Sequence, residues 1–337
     1  MGTVELVIDV GSKVTTIFKK DVGLIIQEPS VVAINNKHNK MALLESGKNA
    51  QRLMNTSRRY DFQILFPIKE GSIFHERAAV LMYRDFINRA VGSSIISPKV
   101  KVIACVSCGL NNMEKKDVEK TLLKAGASEV LIIESPLAVA QGLSGQNSSF
   151  IMDIGGSKTE IAIIDRNGIV AGCSINIGGD SINQAIIDYV IDTRRCKIKP
   201  SSAEKVKRQI ASMYDNDNSP MIVNTEALHG DENVSVRLVA SELKQAICPV
   251  IDKIIEVAYN YTFQIPECIA QEIYENGITL CGGSAYIPGL ADYISAQLQL
   301  KVRVPDMPEN AAALGASHFF NDKASLARLL NVKGLDG

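Results

Sequence analysis

An α/β protein built from two similar halves is the fold class this sequence predicts, on three observations. The chain has 337 residues, enough for about two domains. Short apolar strands alternate with helical segments, the pattern of a mixed or parallel sheet. The stretch ELVIDVGSKVTTIF (5–18) is echoed by SFIMDIGGSKTEIAI (149–163), which places Asp9 and Asp153 144 residues apart.

Each copy of that repeat reads as a β-hairpin: apolar strand, Asp, apolar residue, Gly, a small polar turn with Ser-Lys, then an alternating strand. A single glycine-rich hairpin turn is common and says little about function. Two in the same Asp-x-Gly register at half-chain spacing point to a duplicated domain. Successive N–H groups of a Gly/Ser turn make an anion-binding concavity. A carboxylate just before the turn does not attract phosphate, but it suits Mg²⁺ held through water. Two such hairpins facing one another would clamp a polyphosphate and its metal.

The remaining elements follow in order. VKVIACVS (100–107) is a buried strand, followed by a helix around 114–126. EVLIIES (129–135) is a second strand leading into Pro136 at a helix start. DSINQAIIDYVIDT (180–193) reads as a helix capped by Asp180, with Ile182, Ile186, Ile187 and Val190 at helical spacing. Residues 201–213 form another helix, burying Val206, Ile210 and Met213, and 214–220 is a turn-rich loop. The segment 241–261 is a long helix interrupted at Pro249. GITLCGGSAYIPGL (277–290) is strand, Gly-rich turn and helix start, a third place where backbone approaches a ligand closely.

Composition removes several function classes. Apolar residues make up 46% and charged residues 22%, which excludes a disordered chain. Thirty-six Lys and Arg against 37 Asp and Glu give a net charge of −1, so no generally basic surface exists and nucleic acid is not an expected partner. Four His speak against a His-rich metal site. Seven scattered Cys read as reduced thiols of a cytoplasmic protein. Cys105 and Cys108 form a lone CxxC at a strand end, weak evidence for zinc or redox chemistry. Glu5 and Asp9 break any signal-peptide core, and no run of 18 apolar residues is available to span a membrane.

The segments IDVGSKVTTI (8–17), QEPSVVAIN (27–35), FPIKEGSI (66–73), ESPLAVAQG (134–142), MDIGGSKTEIAII (152–164), NIGGDSINQAIIDYV (176–190), SAEKVK (202–207), ITLCGGSAYIPGL (278–290) and AAALGA (311–316) occur in one order along nearly the whole chain. In that order they resemble the actin-like nucleotide-binding superfamily, and within it the MreB family of bacterial actins. The resemblance implies a duplicated two-lobe fold with ribonuclease H-like sheets and four subdomains around a nucleotide cleft. Residues 1–30, 73–140 and 315–337 would form the first large lobe, with 31–72 as its small insertion. Residues 141–178 and 255–314 would form the second large lobe, with 179–254 as its insertion. ATP or ADP with Mg²⁺ is the implied ligand. Gly11, Ser12, Lys13 and Val14 of the first turn, and Gly155, Gly156, Ser157 and Lys158 of the second, would surround the phosphates. Asp9 and Asp153 would hold Mg²⁺ through water. Glu204 and Lys207 would lie on the adenine and ribose side, and Gly282, Gly283 and Ser284 under the adenosine. Without the resemblance, Glu204 and Lys207 read as a surface ion pair at helical spacing.

The departures from the family pattern bear on activity. The first turn usually reads Asp-Leu-Gly-Thr-Ala-Asn-Thr and the second Asp-Ile-Gly-Gly-Gly-Thr-Thr, so each hairpin here has gained a lysine, Lys13 and Lys158. The family's Glu-Glu-Pro is Glu134-Ser135-Pro136, and Ser135 stands where a catalytic Glu would orient the attacking water. General-base help contributes about 10²–10⁴-fold, so ATP hydrolysis is expected to be slow or undetectable. Glu134 is not expected to substitute, since neighbouring strand residues point to opposite faces. The lysines leave two outcomes open, a bound but unhydrolysed nucleotide or a degenerate pocket with a lysine neutralising an aspartate.

The function implied is therefore a cytoskeletal filament protein of cell shape or motility, whose partners are copies of itself and better-preserved paralogues. Ile95 and Ile96, in the loop VGSSIISPK (91–99), are candidates for contact with lipid at the inner face of the membrane, or else pack inward. The chain opens directly into its first strand, so no N-terminal amphipathic anchor is expected. A sugar or acetate kinase of the same superfamily would need a polar substrate set and usually a longer chain. A chaperone-type ATPase would normally carry a peptide-binding domain after the last lobe.

Overall fold

The computed structural model describes residues 2–37, 40–54, 62–93, 98–143, 145–228 and 233–322. They divide into two compact units, Met1–Gln146 with Arg166–Ile169 and Asn310–Gly337, and Asn147–Asp165 with Val170–Glu309.

In chain order the first unit contains β1 (Thr3–Asp9), β2 (Val14–Lys19), β3 (Gly23–Pro29), β4 (Val32–Lys37), β5 (Lys40–Ser46), α1 (Gly47–Leu53), β6 (Gln63–Leu65), β7 (Ile68–Lys69), β8 (Ser72–Ile73), α2 (Glu76–Val91), β9 (Lys99–Val106), α3 (Asn112–Ala125), β10 (Glu129–Glu134) and α4 (Ser135–Gln141). The second contains β11 (Ser149–Ile154), β12 (Thr159–Asp165), β13 (Gly168–Ile175), α5 (Gly179–Arg194), β14 (Cys196–Lys197), α6 (Pro200–Ile210), β15 (Pro220–Ala227), β16 (Asn233–Val239), α7 (Ala240–Thr262), α8 (Glu267–Asn276), β17 (Ile278–Cys281), α9 (Leu290–Leu298) and β18 (Val302–Arg303). The chain then returns to the first unit with α10 (Ala311–Ser317).

The duplication read from the repeat is present in the topology. The main sheet of the first unit runs β3-β2-β1-β9-β10, and that of the second runs β13-β12-β11-β17-β18. In each, the repeat's hairpin is antiparallel and its first strand pairs in parallel with a later one. The registers match to the residue: Asp9 lies opposite Cys105, and Asp153 lies opposite Cys281. A smaller sheet accompanies each main one, β5-β4-β6 in the first unit and β14-β15-β16 in the second.

Both cores are built from sheet faces and helix stripes. In the first unit Leu6 and Ile8 of β1 pack with Met82, Tyr83 and Phe86 of α2. In the second Met152 and Ile154 pack with Ile182, Ile186 and Val190 of α5 and Leu243, Ile247 and Ile251 of α7. The AAALGA motif forms α10, where a Cβ on Gly315 would come within 1.9 Å of the Ala138 carbonyl. A glycine is therefore what lets α10 lie so close to α4.

Four expected boundaries differ. Helix α5 starts at Gly179, and Asp180 lies in its first turn rather than at the cap, which is Gly178. Helix α6 ends at Ile210, and Met213, although buried, lies beyond it with its N–H on the Pro288 carbonyl. Pro249 does not interrupt α7, which is continuous from Ala240 to Thr262. Proline removes one bond to the carbonyl four residues back, but Gln245 and Pro249 are both exposed, and the buried stripe continues on either side. Strand β10 ends at Glu134, so Ser135 opens α4. The loop holding Ile95 and Ile96 lies outside the described residues.

Candidate functional site

The first turn follows Asp9, a half-buried residue at the end of β1. A Cβ on Gly11 would lie 2.1 Å from the Val14 carbonyl oxygen, so only glycine closes this hairpin. The Ser12 hydroxyl accepts the Gly71 N–H at 2.8 Å, which ties the turn to the β7–β8 hairpin. That hairpin bends through Glu70 and Gly71, both with positive φ. Lys13 and Val14 are exposed. Beneath lies Tyr83, fully buried. Burial pushes its phenol up, and the Asp9 carboxylate adds to the rise.

The second turn spans Gly155 to Lys158 and is closed by the Gly155 N–H on the Lys158 carbonyl at 2.9 Å. Its outward-facing carbonyls are taken by the start of α5. Gly179 N–H donates to the Gly155 carbonyl at 2.9 Å, and Asp180 N–H to the Gly156 carbonyl at 2.7 Å. These bonds use the orphan donors of a helix N-terminus, and they explain why α5 starts without a capping side chain. Across a trans peptide the carbonyl and the following N–H point in opposite directions. The N–H groups of Gly156 and Ser157 are thereby aimed away from α5, as an anion site needs. Gly178 permits the close approach, since a Cβ there would come within 2.8 Å of both the Gly155 oxygen and the Lys158 nitrogen.

Helix α6 joins the same arrangement. Lys207 donates to the Gly179 carbonyl at 3.1 Å and to Glu204 at 2.7 Å, and its side chain is only 10% exposed. Lys207 is thus enclosed, while the Glu204 side chain remains 43% exposed. Asn183 of α5 also donates to Glu204, at 2.7 Å. Burial opposes the Glu204 charge, yet Lys207 and Asn183 outweigh it and hold the carboxyl below its ordinary value. Glu204, Ser201, Lys205, Arg208 and Gln209 line a hollow of about 410 Å³.

Gly282, with φ of 83°, lies against Asp153, where a Cβ would come within 2.5 Å of Oδ1. At Gly283 a Cβ would meet no atom within 4 Å, leaving room for a ligand rather than for packing. Ser284 is buried. Burial first, and then the Asp153 charge, raise the Cys281 thiol well above its ordinary value, so it is a packing group rather than a nucleophile.

Ser135 and Glu134 are both committed to partners. The buried Ser135 hydroxyl donates to the Val106 carbonyl at 3.1 Å. Glu134 is paired with Lys115 of α3 at 2.6 Å. The expectation that strand alternation turns Glu134 away from Ser135 needs correcting, because a strand–helix junction separates them. What restrains Glu134 is its ion pair. Lys115 and Asn183 carry no signal of this role in the sequence, and Gly178 carries only the local one of a Gly-Gly before an apolar helix.

Among the described residues no group of three or more His, Cys, Asp or Glu is placed to hold a metal ion. A divalent cation at Asp9 or Asp153 would therefore draw further oxygen ligands from phosphate and water, the donor set Mg²⁺ prefers. No helix among these residues is long and apolar enough to cross a membrane.

A family model for MreB/Mbl protein matches residues 3–328. The chain belongs to the MreB/Mbl family. It is 30% identical over 322 residues to the cell shape-determining protein MreB of Pasteurella multocida, covering 92% of this chain and 91% of that one. It is 24% identical over 330 residues to Mbl of Bacillus subtilis, covering 95% and 97%. Among solved structures it is similar to MreB5 of Spiroplasma citri bound to ADP, with 25% identity, a TM-score of 0.85, and coverage of 95% of this chain and 97% of that one. The same S. citri protein bound to AMPPNP gives 23% identity and a TM-score of 0.85, covering 97% and 98%. A MamK double helical filament gives 17% and 0.80, covering 95% and 99%. The fold of this MreB/Mbl family member is actin-like.

Proposed function

We propose that this MreB/Mbl family member is a filament-forming actin homologue that binds ATP or ADP and hydrolyses ATP slowly or not at all. Its assembly is then weakly coupled to hydrolysis. The observation that carries the reading is the state of the two residues before Pro136. Ser135 donates its proton to the Val106 carbonyl, and Glu134 is neutralised by Lys115. Neither is poised to orient water and accept its proton, the help that phosphoryl transfer to water requires.

Binding is supported by the oriented N–H groups of the second turn, by the open space at Gly283, and by the ADP and AMPPNP held by the S. citri relative. Both glycine turns serve as phosphate-binding elements, with Glu204 and Lys207 on the nucleoside side and Gly282, Gly283 and Ser284 beneath it. Asp9 and Asp153 hold Mg²⁺ through water, and when bound the ion neutralises phosphate charge. The two small sheets belong to the outer insertions, 31–72 and 179–254. Copies of this chain and better-preserved paralogues are its partners, and Ile95 and Ile96 touch lipid at the inner face of the membrane.

Nucleotide binding, phosphate release and electron microscopy with and without ATP, on one sample, test the reading. Filaments with bound nucleotide and no more than trace release are expected. Turnover equal to that of a relative with Glu at the position of Ser135 would overturn it. Ser135→Glu with Lys158→Thr should raise release by about 10²-fold; an unchanged rate would place the defect elsewhere. Replacing Ile95 and Ile96 with Ser should abolish liposome co-sedimentation, and unchanged sedimentation removes the lipid contact.

A further inference from the structure

We infer that Ser30 is a positioning residue for the first turn, acting through the backbone carbonyls of Gly11 and Lys13. The inference rests on the nucleotide-binding reading above. Ser30 is 1% exposed. It lies between β3 and β4 at the centre of a three-residue bend, in which the Val31 N–H donates to the Pro29 carbonyl at 2.9 Å.

Three hydrogen bonds converge on this residue. Its N–H donates to the Lys13 carbonyl at 2.9 Å, and its hydroxyl donates to the Gly11 carbonyl at 2.6 Å. A hydroxyl has one proton to give and a carbonyl can only accept. The third contact, 2.9 Å to Thr15 Oγ1, therefore runs from Thr15 to Ser30. Thr15 is fully buried, so no water competes, and the direction is fixed as Thr15 to Ser30 to Gly11.

The consequence lies on the other side of two peptide planes. With the Gly11 and Lys13 carbonyls drawn towards Ser30, the N–H groups of Ser12 and Val14 point the opposite way. The second turn uses different parts: Gly179 and Asp180 hold the carbonyls of Gly155 and Gly156, of which Gly155 corresponds to Gly11. In each turn two carbonyls are pinned from one side and two N–H groups are presented on the other. Ser30 does for the first turn what the start of α5 does for the second.

Removing the hydroxyl frees the Gly11–Ser12 peptide and leaves the bond from the Ser30 N–H to Lys13 in place. The loss should fall on phosphate and spare the nucleoside. The test uses the full chain and competition of ADP, ATP and adenosine against a fluorescent ADP analogue, with thermal melts of the nucleotide-free protein alongside. Ser30→Ala is expected to weaken ADP and ATP about tenfold while adenosine stays within about twofold. Ser30→Thr, which keeps the hydroxyl, should restore most of the ADP affinity. Thr15→Val, which keeps the Ser30–Gly11 bond, should bind ADP as the parent does. If Ser30→Ala does not fold, Ser30→Cys preserves size with a weaker donor and should show the same ADP-selective loss. Unchanged ADP affinity in a folded Ser30→Ala or Ser30→Cys protein overturns the inference. So does an equal loss for ADP and adenosine, the mark of a purely structural role. A parent protein that binds no nucleotide overturns the function proposed above and this inference with it, an outcome visible before any variant is made.

Discussion

The two glycine turns have equal length and equivalent strand registers, yet they are held by different chemistry. The first is pinned by a serine from the bend between β3 and β4, and the second by the backbone N–H groups of a helix. Backbone donors survive any side-chain substitution and are lost only if something forces the helix away. A side-chain donor disappears with a single hydroxyl. The second turn should therefore resist change everywhere except at its glycines, whereas the first should be sensitive at Ser30.

The largest effect is expected at Gly178. Its extended backbone suits any residue, but a Cβ would press on backbone atoms of the second turn at 2.8 Å. Gly178→Ala should cost about 1–3 kcal/mol in denaturant unfolding and weaken ADP more than Ser30→Ala does. Tolerance within experimental error would break the comparison. Lys207→Met comes next, since it keeps the apolar stem but releases Gly179 and Glu204. A loss of about 1 kcal/mol and a several-fold fall in ADP affinity are expected.

The same variant carries a pH signature that sharpens the assignment. The folded-state value of Glu204 is held below its ordinary 4.5, so its contribution to stability is present above that value. It is lost as pH falls through the lowered folded value. Thermal unfolding of the parent from pH 6 down to about 3 should show this acid loss, and Lys207→Met should reduce it. Identical pH profiles would mean that Lys207 does not hold the Glu204 charge.

Much of this arrangement was legible in the sequence because it is local or periodic. Asp9 and Asp153 announce the duplication, Gly11 and Gly282 mark close approaches, and the apolar spacing of α5 marks its buried stripe. What escaped depends on partners distant in the chain. Ser30 lies in QEPSVVAIN (27–35), which carries the family resemblance but shows no role for its serine, and Lys115 looks like any surface lysine until it meets Glu134. Asp180 resembles a cap because caps are normally side chains, whereas here the helix start is satisfied by turn carbonyls. Pro249 looks like a break because sequence does not show that Gln245 faces solvent.

If hydrolysis is as slow as proposed, the bond from Ser135 to the Val106 carbonyl would have a consequence beyond the single subunit. In a polymer that splits its nucleotide, old subunits differ chemically from new ones, and that difference tells the filament where to come apart. Subunits in which a serine tied to the sheet stands where the water-orienting Glu is expected would carry no such date stamp. Length and turnover would then follow concentration and outside partners rather than age.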